Sequence, residues 1–197
     1  ERCYVGGSEA LTVSLALTVL ALLVWRLGEP SNGFVRDVTA GSFTALYVPF
    51  LAGFAVLLTR PDDGPWRVVT FLLVVVASDT GGYLFGVLFG RHPMAPSVSP
   101  KKSWEGFLGS LVLCAAVAIA AVTLLLDGRW WAGAVLGLAV LCSATLGDLG
   151  ESMIKRDLGI KDMGNLLPGH GGIMDRLDSM LPSAPVVWIV LTALVPS

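Results

Sequence analysis

Charge is what this sequence has least of. Only 14% of its 197 residues are Asp, Glu, Lys or Arg, against about 25% in an ordinary soluble domain. No basic patch stands out and the net charge is -2, which argues against a nucleic-acid partner. No Pro/Gly/Ser-rich or polar linker divides the chain, so it reads as one unit. Three cysteines, Cys3, Cys114 and Cys142, carry no zinc-site spacing. Cys114 and Cys142 fall inside apolar runs and read as buried, inert thiols. With two histidines and no paired Cys–His, nothing suggests a covalent nucleophile. An initiator Met is also missing, and no basic n-region precedes the first apolar run, which therefore does not resemble a signal peptide. The expectation is a chain that starts partway along a longer protein.

Apolar runs fill the space that charge leaves. Hydrophobic residues make up 54% of the chain, and a bilayer core needs about 20 mostly apolar residues per helix. Six candidate spans follow: residues 10–27, 38–58, 66–90, 107–126, 130–146 and 181–195. The last is short, with Pro182 and Pro185 at its start, and Pro49 is placed to kink the second. Trp25, Trp66, Trp104, Trp130, Trp131 and Trp188 mostly fall near span ends, as interfacial belts do. The predicted fold is all-α, a polytopic membrane helical bundle of about six transmembrane helices. Residues 1–65 would supply N-terminal membrane helices and residues 66–197 a catalytic membrane domain with its loops.

Basic residues set the expected orientation. The first, third and fifth connections hold Arg26, Arg36, Arg91, Lys101, Lys102, Lys155, Arg156, Lys161 and Arg176, whereas the other side holds Arg2, Arg60, Arg67 and Arg129. The positive-inside rule puts the richer side in the cytoplasm and both termini outside. A functional site would recruit some of the same residues.

All the lysines lie in two segments on that side, residues 78–109 and 147–178. Asp79 sits deep in the third span, where a carboxylate needs a partner or a wet cavity; the plainer alternative is an aspartate reaching the headgroup zone. Gly81 and Gly82 follow it and would break the helix or admit a close neighbour. Asp148, Glu151, Ser152 and Lys155 share one face if the fifth span continues as a helix. Their carboxylates suit a hard cation such as Mg²⁺, though i,i+4 ion pairs are the simpler reading. A glycine turn at 168–172 precedes a helix start, which favours phosphate, and Asp175 and Asp178 would share one face of that helix and join Asp148. His170 is either a base or a structural hydrogen-bonder. Carboxylates, Lys, Arg and a glycine turn together suit metal-assisted phosphoryl or nucleotidyl transfer.

The run from Ser152 to Asp178, S-x-x-K-R-x-x-x-x-K-D-x-x-x-x-x-P-x-H-G-G-x-x-D-R-x-D, resembles the signature of the phosphatidate cytidylyltransferases. SDTGGY, SPKKSWEG and GDLGES upstream resemble the same family, and the likeness covers residues 66–197. It implies transfer of the cytidylyl group of CTP to phosphatidic acid, Mg²⁺ with K⁺ beside it, a homodimer, and a site facing the cytoplasm from the cell inner membrane. It also implies Asp148 and Asp175 as metal ligands. Asp178 and Glu151 would stand behind them, and Lys155, Arg156, Lys161 and Arg176 would neutralise phosphates. Lys101, Lys102 and Ser103 would close the site, Asp79 would line it, and His170, Gly171 and Gly172 would contact substrate. Two rivals remain: a related lipid or polyprenol kinase or cytidylyltransferase with another acceptor, and an ion-coupled transporter relaying through Asp79. The transporter is weakened by the absence of an internal repeat.

Overall fold

A computed structural model describes residues 7–95, 99–160, 163 and 174–195, apart from the side chains of Pro100, Lys101, Asp175 and Arg176. The chain is a helical bundle. Helix α1 is Gly7–Leu27 and α2 is Phe34–Ala45. A π turn, Leu46–Phe50, joins α2 to α3, Leu51–Leu57. Helix α4 is Gly64–Phe89, followed by a two-stranded hairpin, β1 Pro93–Ala95 and β2 Ser99–Ser103. Then come α5 Trp104–Leu125, α6 Trp130–Asp157, the single turn α7 Met174–Leu177 and α8 Met180–Leu194. Five helical stretches are long and apolar enough to cross a membrane. Helix α8, at 15 residues, reaches only about 22 Å.

Most helices start before their apolar runs do, because capping, not hydropathy, sets where a helix begins. Ser103 caps α5 by accepting from the Gly106 amide at 3.1 Å. Asp63 precedes α4, with Pro65 in its first turn. The disruption expected at Pro49 takes the form of the π turn. Proline has no N–H for the carbonyl one turn back, and the helix widens to absorb the loss. Helix α6 runs past its apolar stretch and stops at Gly159 (φ 67°), where Gly159 N donates to Arg156 O and Ile160 N to Lys155 O.

The core lies between α4, α5, α6 and α8. Val74, Val75, Cys114, Ala118, Val122, Leu136, Val140, Leu141, Val187 and Leu191 fill it. Large apolar side chains such as Leu72, Leu88, Leu108 and Leu138 point outward, as they do in a bundle whose solvent is lipid. Glycines let the backbones meet. A Cβ on Gly81 would lie 2.8 Å from Gly109 O, one on Gly106 2.9 Å from Gly82 O, and one on Gly133 2.5 Å from the Ile119 Cα. Gly81 and Gly82 therefore leave α4 unbroken and serve close approach, the arrangement small residues permit between membrane helices. Ser110 Oγ donates across the α4–α5 seam to Ser78 O at 2.6 Å. Cys114 is buried, with Sγ 3.2 Å from Gly137 O. Cys142 is exposed, which corrects the expectation that both thiols are buried: an apolar run shows depth in a membrane, not which helix face is packed. Trp66, Trp104 and Trp130 stand exposed at helix starts, whereas Trp188 lies within α8 and packs edge-on to Phe54 of α3 at 5.4 Å.

Two buried arginines fasten the bundle near its chain ends and connections. Arg26 donates to Asp37 Oδ2, Pro30 O and Asn32 O, which ties the α1–α2 connection together. Arg67, 2% exposed, donates to Asp63 Oδ1 and to Val195 O, each at 2.7 Å, and so clamps the start of α4 to the end of α8. Arg67→Met should destabilise the fold by about 2 kcal/mol, the scale of hydrogen bonds to charged groups. A lowered thermal midpoint in detergent checks this.

Candidate active site

The hydrophilic end of the bundle is built where α4 ends, α5 begins, α6 emerges and α8 starts. A cavity of about 400 Å³ opens there. Its charged lining is Asp79 from α4, Lys102 from the hairpin, Asp148 from α6 and Asp178 from the α7–α8 turn. Ser103, Ser110 and Ser179 add hydroxyls, and Gly82, Gly86 and Gly106 leave room.

The hairpin is the part that hydropathy did not foresee. Its strands pair antiparallel, Pro93 opposite Ser103 and Ala95 opposite Ser99. Glu105 holds its base: Oε2 accepts from the Arg91 and His92 amides at 3.1 and 3.2 Å, and Oε1 lies 2.6 Å from His92 Nδ1. Glu105 and His92 thereby fix the strand that delivers Lys102. Lys102 Nζ forms an ion pair with Asp148 Oδ2, closing the cavity between hairpin and α6.

Because α6 continues to Asp157, Asp148, Glu151, Ser152 and Lys155 do fall on one helical face. Glu151 is 2% exposed. Its Oε2 meets Lys155 Nζ at 3.1 Å, and its Oε1 is buried with no hydrogen-bond partner among the described residues. Asp178 is its carboxylate neighbour. Ser179 lies beside the Asp79 side chain, with Asp178, Asp148 and Lys102 the nearby charges. Asp178 Oδ1 in turn accepts from the Ser179 amide at 2.8 Å.

Contrary to the expectation from spacing, Asp175 and Asp178 do not share a continuous helix: α7 stops at Leu177 and Asp178 stands in the turn before α8. Pro182 has no N–H for the Asp178 carbonyl, and Pro185 lies inside α8. The turn nests on Gly147, where a Cβ would collide with Asp178 O and lie 2.7 Å from Pro182 Cγ. Gly147→Ala should therefore displace Asp178 and lower any activity at this cavity at least about tenfold while adding overpacking strain of about 1–3 kcal/mol; parallel activity and thermal-melt measurements check both effects.

Of the residues singled out from sequence, the structure brings Asp79, Lys102, Ser103, Asp148, Glu151, Lys155 and Asp178 to this end of the bundle. Arg156 is in the last turn of α6. Lys161, His170, Gly171 and Gly172 lie outside the described residues, as do the side chains of Lys101, Asp175 and Arg176. Sequence reading missed Glu105 and His92. The available signal was a carboxylate just inside a helix start.

The donors around the cavity are all hard oxygens, Asp79, Asp148, Asp178 and the serine hydroxyls, the chemistry a Mg²⁺ ion selects. Glu151 Oε1 behind them is an acceptor without a donor among the described residues. Among the described residues no three such groups converge closely enough to hold an ion by themselves.

Residues 3–194 match the Cytidylyltransferase family. The chain belongs to that family. It is 50% identical to the phosphatidate cytidylyltransferase of Mycobacterium leprae, across 90% of this chain and 62% of that protein. With the Haemophilus influenzae phosphatidate cytidylyltransferase the identity is 38%, across 70% of this chain and 51% of the relative. With that of Staphylococcus aureus it is 39%, across 71% and 54%. This chain thus spans roughly half to three-fifths of the length of these cytidylyltransferases.

Proposed function

We propose that the cavity transfers the cytidylyl group of CTP to phosphatidic acid, releasing pyrophosphate and leaving CDP-diacylglycerol in the bilayer for phospholipid synthesis. The supporting observation is the cavity itself: Asp79, Asp148, Asp178 and Lys102 line it, at one end of a membrane bundle, in a chain of the Cytidylyltransferase family. Such a position serves both substrates. Phosphatidate is held in the bilayer by about 0.8 kcal/mol per CH₂, and CTP arrives from water.

A phosphate oxygen of the lipid attacks the α-phosphorus of CTP, the new P–O bond forms, and the bond to the β-phosphate oxygen breaks. At neutral pH the attacking phosphate is already largely ionised, so no protein base is required. Positioning and charge neutralisation remain as the work of the protein. Three carboxylates against one lysine in the described lining would repel a triphosphate. Asp148 and Asp175 would hold Mg²⁺, with K⁺ beside it, and the metal would supply Lewis-acid neutralisation of the phosphates. Lys102, Lys155, Arg156, Lys161 and Arg176 supply fixed positive charge, with Lys101 and Ser103 at the closing edge. Asp178 and Glu151 support the ligands, and Asp79 orders the inner wall. His170, Gly171 and Gly172 complete the substrate contacts. The charge bias of the connections supports a cytoplasmic site in the cell inner membrane, and the family likeness supports a homodimer.

The test is purified protein in detergent with phosphatidate, labelled CTP and Mg²⁺, followed by lipid extraction. A labelled CDP-lipid that disappears with EDTA is the expected result. Product unaffected by EDTA would remove the metal, and no product with phosphatidate but product with another lipid phosphate would change the acceptor.

A further inference from the structure

Helix α5 opens with a carboxylate that the proposed chemistry does not use. Glu105 does not line the cavity, and both its oxygens turn back to the residues between α4 and the hairpin. Oε2 accepts from the Arg91 and His92 amides, and Oε1 lies 2.6 Å from His92 Nδ1. Trp104 N donates to His92 O at 3.0 Å. Residues 91 and 92 are thus bound to the first turn of α5 by main chain and side chain together. The hairpin needs this support. Two strands alone are marginally stable, and these carry Pro93 in β1 and Pro100 in β2, neither with an N–H for the ladder. Pro93 stands at the base of the hairpin, opposite Ser103, so the ladder is weakest where Glu105 grips. Lys102, the residue before Ser103, is carried on β2 into the cavity, where it pairs with Asp148.

We propose that Glu105 is a positioning residue for Lys102. By accepting the two amides at the hairpin base it holds the strand pair against α5, and so keeps the Lys102 ammonium on the Asp148 side of the cavity. Reach matters more than charge at this position, because the groups it binds are two neutral amides and an exposed imidazole. A side chain of glutamate length spans from the helix start to both amides and the ring. One methylene less falls short. The consequence for turnover rests on the cytidylyl-transfer reading; the placement of Lys102 does not.

Two conservative variants separate reach from charge. Glu105→Gln keeps the length and a carbonyl oxygen for the amides, whereas Glu105→Asp keeps the charge and loses the reach. In the lipid-extraction assay Glu105→Gln should stay within about threefold of wild type and Glu105→Asp should lose about tenfold, the scale of one hydrogen bond to a charged group. The loss should divide between kcat and KM as it does in Lys102→Met. In a Lys102→Met background Glu105→Asp should add nothing, since residues acting through one contact are non-additive. Wild-type turnover in Glu105→Asp, a Glu105→Gln loss as large as that of Glu105→Asp, or losses that multiply in the double variant would overturn the proposal. Amine labelling with acetic anhydride in detergent, read at Lys102 by mass spectrometry, needs no turnover. Lys102 is ion-paired and 21% exposed, so it should label slowly in wild type and Glu105→Gln and several-fold faster in Glu105→Asp, with Lys155 as the internal reference. Equal labelling of Lys102 in all three proteins would refute the positioning role. A protein without cytidylyltransferase activity but with Glu105-dependent labelling of Lys102 would refute the catalytic reading and uphold the placement.

Discussion

Asp148→Asn is expected to lower CDP-lipid formation by about a thousandfold, the upper range for losing one group that stabilises developing charge, while leaving the fold intact. The carboxylate lines the cavity, pairs with Lys102 and is 38% exposed. A half-exposed ion pair contributes about 1 kcal/mol or less to stability, and Asn keeps the size of the side chain. The effect therefore belongs to chemistry and not to folding. Unchanged thermal melting alongside lost turnover is the predicted pair of results. An Asp148→Asn variant that remains active and Mg²⁺-dependent would show that the metal is held elsewhere. Lys102→Met should do less, because other basic residues of the two lysine-bearing segments share its task.

The largest structural effect is expected at Gly81. Its missing Cβ allows the backbone of α5 to approach, with Gly109 O at 2.8 Å and the Ser110 Cα at 3.0 Å from where that atom would be. The atoms in the way are main chain and cannot rotate aside. Gly81→Leu should therefore cost about 3 kcal/mol and separate the two helices that carry Asp79 and the hairpin, so activity and stability fall together. Gly86→Ala on the same helix is the control. Its Cβ would meet nothing nearer than 3.7 Å, and the replacement should be neutral or stabilising by up to about 1 kcal/mol through helix propensity. Equal thermal shifts in the two variants would contradict the close-packed seam.

Legibility from sequence differs between elements. The membrane helices were readable because an apolar run of about twenty residues is seldom anything but a bilayer span. The continuation of α6 through Asp148, Glu151 and Lys155 was readable because their spacing matches one helical face. The hairpin was not: Pro93, Pro100 and a run of small polar residues carry no alternation, and its shape depends on Glu105 gripping the Arg91 and His92 amides. The separation of Asp178 from α7 was hidden because it comes from Pro182 in the first turn of the next helix and from Gly147 beneath the turn. Cys142 shows the converse: hydropathy places it within a span but does not say which face of the span is packed.

The proposed reaction transfers the α-phosphorus of CTP to a lipid phosphate in this cavity. The most direct measurement is a paired assay with phosphatidate and Mg²⁺, one arm carrying CTP labelled at the α-phosphorus and the other at the γ-phosphorus. The expected result is α-label in the lipid extract and γ-label only in water-soluble pyrophosphate. γ-Label in the lipid would make the protein a kinase and contradict cytidylyl transfer.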